Sequence, residues 1–490
     1  MTRREILTAP AAFAQTATSP NVLWIMTDQH RFDCIGANGN RLIRTPNLDG
    51  LAARSRNFQQ AFVQSPVCVP SRMSYFTGRY PHSHKNRVNY TPLDSRETLA
   101  PRMFREGGYQ TGSVGKLHYH PPTAAHARSM GWDKVLLDDG TSFRDDYSDY
   151  AAWVNVRNYH ATKPLPGKNP FRGALPYEQT VTAWTGMETR RMLRDFAGGT
   201  KPFFLHSSFF KPHAPYTVPE PFDSMYDGVE IPLPRRYTLD DIHKLPLPVQ
   251  RQILRRPQNE MDRTRLQWIY RSYYASVSMI DKEIGLILDE LERSGKVENT
   301  VVLLTTDHGD QLLEHGLVDK NVFFESSVRV PFLLSFAQRV KPGKNNELVE
   351  MVDVLPTLLE LCGLPPRKEI QGRSLLTASP REFAFAENVM PEVITNGGLD
   401  LPYVPGQGVG GILHPDAKMI RGRRWKLNYY PGHGGELYDL ENDPNEERNL
   451  YGEAATQSVV REWKDRLLDF LITSDETDQI APRWKLGSQA

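Results

Sequence analysis

The chain holds only three cysteines, Cys34, Cys68 and Cys362, and one of them stands where a thiol could do chemistry. It opens the stretch Cys68-Val69-Pro70-Ser71-Arg72. Pro70 suits the first turn of a helix and Gly78 its C′ end, so Cys68 falls at the helix N-terminus. There the helix dipole favours negative charge, and Arg72 adds a cation. A nucleophile beside a cation suits attack on an anionic ester. A thiolate phosphatase would need its arginine about six residues after the cysteine, closing a phosphate-cradling loop. Position 74 is Ser74 and the arginine is at 72, so that mechanism fails on spacing. The three thiols as a set show neither a disulfide framework nor zinc spacing, and a lone cysteine otherwise suits a small buried apolar position.

The other reactive side chains follow short apolar runs. Asp28 and Gln29 come after Asn21–Met26, and Lys116 and His118 after Gln110–Gly115. Lys211 and His213 come after Pro202–Phe210, and Asp307 and His308 after Thr300–Thr306. Any one of them could be a cap or a satisfied core residue. Four strand ends carrying acid, amide, imidazole or ammonium groups are harder to explain that way. In an open α/β sheet, ligands bind beyond the carboxyl ends of the strands.

The elements that must position these groups are legible in the same pattern. The apolar runs, with a further one at Pro331–Ser335, read as buried strands. Between them lie helical stretches at Glu97–Arg105, Glu178–Phe196 and about 263–294. This alternation predicts an α/β fold with a doubly wound sheet flanked by helices, spanning residues 21–375. From about residue 376 to 490 the texture changes. Short strands at Phe383–Glu387, Lys418–Arg421 and Trp425–Tyr430, and a closing helix over Thr456–Leu471, predict a smaller α+β subdomain with an antiparallel sheet. The Pro-rich segment His213–Pro257 reads as a long surface excursion that shapes a pocket.

Composition narrows the function. The formal net charge is +1, without the basic excess of a nucleic-acid binder. No run reaches the length of a membrane span. Residues 1–20 contain Arg3-Arg4 and the small-residue stretch Ala12-Phe13-Ala14, read as a twin-arginine signal or a disordered tail. The signal predicts a periplasmic or secreted protein, and the tail a cytoplasmic one.

The stretch Cys68-Val-Pro70-Ser71-Arg72, then Thr77-Gly78-Arg79, resembles the signature of the type I sulfatases, in the alkaline-phosphatase-like superfamily. The resemblance runs from about residue 21 to 450. It includes TPNLDGLA at Thr45, VGKLH at Val114, KPHAP at Lys211, TTDHGD with EHG from Thr305, and ELYDLENDPNEERNL at Glu436. It implies an alkaline-phosphatase-like mixed sheet and hydrolysis of a sulfate ester to alcohol and inorganic sulfate. It also implies that a formylglycine-generating enzyme converts Cys68 to formylglycine, whose hydrate supplies the nucleophilic oxygen. Asp28, Gln29, Asp307 and His308 would surround one divalent cation together with residue 68. Calcium is the first expectation, with magnesium or manganese as alternatives; His308 is the unusual ligand for calcium. Arg72 would hold the nucleophile and offset charge beside it. Lys116 and Lys320 would bind sulfate oxygens, His118 would serve turnover of the sulfated nucleophile, and His213 would protonate the leaving oxygen or bind sulfate.

A sister group with the same motif cleaves phosphonate and phosphate monoesters. Its members share Asp-Gln at the first strand, Asp-His at the later one, and an Asn about twenty residues after the nucleophile, where Asn89 stands and would contact substrate. They typically carry Tyr and Thr in place of Lys116 and His118, which favours sulfate esters here. A non-catalytic metal-binding homologue would lack the nucleophile or the lysines, and none is missing. Specificity is expected in loops 122–149, 160–177, 215–257 and 389–415. Tyr147, Tyr150, Trp153, Tyr159, Tyr216 and Tyr403, with Lys163, Lys168 and Arg172, suit either a sulfated carbohydrate or ordinary loop packing. Oligomeric state is not encoded in any of these features.

Overall fold

The computed structural model describes residues 19–89, 91–139, 147–156, 160–255, 261–389 and 416–474. The Arg3-Arg4 segment, Tyr159, Tyr403 and most of the 389–415 loop lie outside them.

One large sheet contains β1 (Asn21–Asp28), β2 (Arg56–Phe62), β3 (Gln110–Gly115), β4 (Lys134–Leu137), β5 (Phe203–Pro212), β6 (Thr300–Thr306), β7 (Phe332–Ser335) and β8 (Gly343–Glu350). Their order is β4-β3-β5-β1-β6-β7-β2-β8. Neighbours pair in parallel except β7, which runs antiparallel to both β6 and β2. The central strands β1, β5 and β6 are buried along their whole length, which is why their sequences are nearly continuous apolar runs.

The pleat sends alternate residues of β1 to opposite faces. Val22, Trp24 and Met26 pack with Val69, Met73 and Phe76 of the Cys68–Thr77 helix and with Leu355 and Leu358 of the Val354–Leu361 helix. Leu23 and Ile25 pack with Trp184, Leu193 and Phe196 of the Val181–Ala197 helix and Ile280, Ile284 and Ile287 of the Arg263–Arg293 helix. The sheet is thus covered on both faces, and only its strand ends are left to meet a ligand.

The second sheet is antiparallel: β9 (Ala384–Val389), β10 (Asp416–Arg421), β11 (Trp425–Tyr430) and β12 (Gly434–Asp439), in the order β12-β11-β10-β9. The closing helix Gln457–Ser474 lays Val460, Trp463 and Leu467 against Ile420, Leu427 and Leu437. Strands β2, β4, β8 and β12 go beyond those the sequence pattern predicts. The Pro-rich excursion includes two short helices, Leu239–His243 and Leu247–Arg255. No helix among the described residues is long and apolar enough to cross a membrane.

Candidate active site

Register brings the four predicted strand ends together. Thr27 lies beside Thr306, Gly115 beside Ser208, and Asp28 beside Pro212. Asp28, Lys116, Lys211 and Asp307 therefore emerge on one edge of the sheet. Two turns at this edge are tight. Gly115 has φ +93°, and a Cβ there would lie 2.0 Å from the Ser208 carbonyl oxygen, so only glycine lets the chain turn and deliver Lys116. Gln29 and His118 hold left-handed backbones, φ +65° and +59°, which cost about 1 kcal/mol or more each. Local bonds maintain them: the Gln29 N–H donates to Asp307 Oδ1 at 3.1 Å and the Tyr273 hydroxyl to the Gln29 carbonyl at 2.7 Å. The His118 N–H donates to Asp139 Oδ1 at 2.9 Å.

Cys68 is the first residue of its helix, which ends on Gly78 in the left-handed conformation. Asn89 Oδ1 accepts from the Val69 N–H at 3.1 Å and so satisfies one of the helix's orphan donors. The Cys68 sulfur lies 3.1 Å from Lys320 Nζ and 3.2 Å from His308 Nε2. Burial pushes this thiol up. Lys320, Lys116 and His308, with a hydrogen bond from His118, outweigh it and hold the thiol well below its ordinary value. The other two thiols behave oppositely: burial pushes Cys34 up, and Cys362 up to about 12. Of the three, Cys68 alone has cations that outweigh its burial.

Arg72 is fully buried beneath it. Its Nε donates to Asp307 Oδ2 at 2.8 Å and its Nη2 to Asp28 Oδ2 at 3.2 Å. Nη1 donates to the Lys116 carbonyl at 2.7 Å and to Ser208 Oγ at 3.0 Å. Lys116 Nζ reaches the same Asp28 Oδ2 at 2.6 Å. Burial and the Cys68 sulfur push the Asp28 carboxyl up, but Lys116, His213 and Arg72 outweigh them and hold it well below the usual carboxylate range. Burial would lower Lys116 and Lys320. Asp28 and Cys68 overcome this and raise both, so the two lysines are ammonium ions.

Asp28, Cys68, Asp307 and His308 offer four ligand atoms within 4.8 Å of one another. Asp28 Oδ1 is buried with no hydrogen-bond partner among the described residues. His308 Nδ1 donates to the Gly309 carbonyl at 2.9 Å, which leaves Nε2 facing the cluster, where it can act as a ligand once its proton is given up. An orphaned carboxylate oxygen and an oriented imidazole fit a divalent cation, and the predominance of oxygen donors suits a hard one. The predicted ligands, Arg72, Lys116 and Lys320 thus meet in one place. His118 contacts Cys68, and His213 stands at the rim. The His213 Nδ1 donates to the Ala214 carbonyl at 2.6 Å, and its ring lies 5.0 Å from that of Phe210. Asn89 meets the site through the helix that carries Cys68.

Sequence reasoning gave no role to Asp310, Asp319 or Lys211. Asp310 and Asp319 hold the Gln29 amide at 2.8 and 3.2 Å. Lys211, buried with no carboxylate partner among the described residues, is pushed down to about 7 by burial and donates to the Pro215 carbonyl and Thr217 Oγ1. The signal for Asp310 was the second carboxylate of TTDHGD and for Lys211 its place at a strand end; Asp319 carried none. Of the loop residues proposed for carbohydrate, Tyr150 is buried, Tyr216 is hydrogen-bonded to Asp310, and Arg172 pairs with Glu220 at 2.7 Å. Tyr147 and Trp153, by contrast, are exposed.

Comparison with known proteins agrees with this architecture. The sulfatase family model matches residues 20–364. An arylsulfatase of Clostridium perfringens is 29% identical over 478 residues, covering 92% of each chain. Iduronate 2-sulfatase of Mus musculus is 28% identical over 520 residues, covering 91% of this chain and 93% of its own. The solved phosphonate monoester hydrolase of Agrobacterium radiobacter superposes with a TM-score of 0.80 at 24% identity, covering 93% of this chain and 96% of its own. The chain belongs to the sulfatase family and has the alkaline-phosphatase-like fold.

Proposed function

We propose that this sulfatase hydrolyses the sulfate ester of a small molecule or carbohydrate through residue 68 as nucleophile. The observation that carries the reading is the setting of Cys68: a thiol at a helix N-terminus, 3.1 Å from Lys320 Nζ, among ligand atoms grouped within 4.8 Å. In the mature enzyme the sulfur would be replaced by the oxygen of formylglycine, installed by a modifying enzyme that reads Cys68-Val-Pro70-Ser71-Arg72. The hydrated aldehyde supplies a hydroxyl as the nucleophile.

Asp28, Gln29, Asp307, His308 and residue 68 would hold one divalent cation, calcium first among the candidates. When bound, it lowers the pKa of a neighbouring hydroxyl and offsets sulfate charge. The chain's own groups do the rest. Arg72 keeps Asp28 and Asp307 in place. Lys116 and Lys320 present fixed ammonium groups to the sulfate oxygens, so no reorganisation is needed as charge develops. His118 stands by residue 68 for proton transfer. His213, with Nδ1–H committed to the Ala214 carbonyl, has Nε2 left to protonate the leaving oxygen or bind the sulfate, and donates from it in the imidazolium form. Asn89 completes the substrate-facing set from the start of the Cys68 helix. Periplasmic or secreted location is part of the proposal and rests on Arg3-Arg4 and Ala12–Ala14.

A second reading has its own support. Asp28-Gln29, Asp307-His308 and Asn89 match the phosphonate monoester hydrolases, and one of these superposes at TM-score 0.80. One experiment addresses both. Protein made with an active modifying enzyme is digested, and the peptide containing residue 68 is weighed. A loss of about 18 Da against the thiol peptide reports the aldehyde. The same sample is assayed on an aryl sulfate and the matching aryl phosphonate monoester. Faster sulfate cleavage is expected. Faster phosphonate cleavage would overturn the first reading, and an unmodified thiol would remove its nucleophile.

A further inference from the structure

Asp310 is buried and takes no part in the chemistry above. Its Oδ2 accepts from Gln29 Nε2 at 2.8 Å and from the Tyr216 hydroxyl at 2.7 Å, and its Oδ1 accepts from the Leu312 N–H at 2.8 Å. Asp319 Oδ1 accepts from the same Gln29 Nε2 at 3.2 Å. No ion pair binds Asp310 among the described residues. The arrangement decides which way an amide points. A carboxylate can only accept, so two carboxylates on one side of Gln29 must face its NH₂ group. The carbonyl oxygen is then turned the other way, where it accepts from Lys320 Nζ at 2.9 Å. Flipped, the amide would put N–H groups against an ammonium ion and beside a cation site. It would also set its oxygen against two carboxylates.

We propose that Asp310, assisted by Asp319, is a positioning residue for Gln29, and that this pair makes position 29 specific for an amide rather than a carboxylate. The inference rests on the reading of Gln29 as a metal ligand. A glutamate at 29 has no N–H for Asp310 or Asp319 and would be the third carboxylate in a buried space. A glutamine satisfies both acids while still offering an oxygen to the cation. Position 29 and position 310 are therefore coupled: the residue tolerated at one depends on the charge at the other.

The test is a double-mutant cycle on purified full-length protein, read by calorimetric titration with Ca²⁺ alone. The variants are Asp310→Asn, Gln29→Glu and the pair together. The melting temperature of each is taken with chelator present, to separate positioning from folding. Asp310→Asn is nearly isosteric but can donate to a flipped Gln29. It should weaken Ca²⁺ binding by about tenfold or more, the usual range for residues that orient a metal ligand, with an unchanged chelated melting temperature. In the Asp310→Asn background, Gln29→Glu should change Ca²⁺ affinity more favourably, by about tenfold, than it does in the parent, because an amide at position 310 can donate to the new carboxylate. Equal factors in the two backgrounds, or native affinity in Asp310→Asn, would overturn the inference while leaving the metal reading standing. A parent protein that takes up no Ca²⁺ in this titration, and no Mn²⁺ or Mg²⁺ when the titration is repeated with those ions, would overturn both.

Discussion

Arg72 allows a quantitative test of how the site is held. The guanidinium is fully buried and makes four hydrogen bonds, two of them to the carboxylates of Asp307 at 2.8 Å and Asp28 at 3.2 Å. Replacing it with methionine keeps most of the volume and removes the charge. Breaking a buried pair from one side typically costs about 3–5 kcal/mol, because an uncompensated charge stays behind. Lys116 still serves Asp28, but Asp307 Oδ2 loses its guanidinium partner, so the loss should fall within that range. Arg72→Lys keeps the charge but cannot span both carboxylates, and one charge-assisted bond is worth about 1.5–3 kcal/mol. The lysine variant should therefore lie between parent and Arg72→Met. The control is Arg448→Met, which breaks an exposed pair with Glu453 at 2.7 Å and should cost about 1 kcal/mol or less. All four proteins would be unfolded in urea at neutral pH with chelator. Against a total stability of about 5–15 kcal/mol, Arg72→Met should remain folded with a clearly lowered midpoint. If it loses no more than Arg448→Met, the claim that Arg72 compensates two buried acids is wrong.

Two further outcomes are expected. Asn89→Ala leaves the Val69 N–H without its acceptor and should cost about 0.5–2 kcal/mol, whereas Asn89→Asp keeps the acceptor and the melting temperature but raises KM for an aryl sulfate by putting a negative charge near the anion. An unchanged KM in Asn89→Asp would place residue 89 away from substrate. Glu446 shares the buried Lys426 with Glu325, at 2.7 and 3.2 Å, and burial pushes Glu446 from its ordinary 4.5 up to about 7. The folded state then holds more protons than the unfolded one between about pH 4.5 and 7, so stability falls as pH rises through that window. Glu446→Gln should flatten this fall in urea titrations across the window; an unchanged slope would assign the fall to another group.

The elements that carry the site were legible because both their faces are buried. Residues such as Val22, Leu23, Trp24 and Ile25 of β1 must all be apolar when helices cover both sides of the sheet. The same physics hid β8, whose first five residues GKNNE are largely exposed at the sheet edge, and β2, whose RNFQQAF is neither a continuous apolar run nor a strict alternation. In β12 the buried Glu436 is satisfied by Asn428, Tyr430 and Tyr438 from its own sheet, a condition no hydrophobic pattern records. Asp28, Lys116 and Asp307 could be placed because strand ends are predictable. Asp310 could not be given a role, because its partners Gln29 and Tyr216 lie 281 and 94 residues away in sequence. A carboxylate two residues beyond His308 reads as loop polarity until the fold closes on it.

The same geometry bears on the choice between sulfate and phosphonate. Both monoesters carry a single negative charge, so the cationic surroundings of residue 68 attract either one. They differ at one position around the central atom, where the sulfate has a third oxygen and the phosphonate a carbon. Lys116 is pinned to Asp28 at 2.6 Å and Lys320 to Gln29 Oε1 at 2.9 Å, so neither ammonium can retreat to solvent when a substrate offers it no acceptor. A buried donor left unpaired costs about 1–3 kcal/mol, more when it is charged. A site whose donors are fixed in this way rejects a missing acceptor more strongly than it rejects a small change of shape. On the proposed reading, in which Lys116 and Lys320 face the anion, the penalty for a carbon among its oxygens falls on the phosphonate.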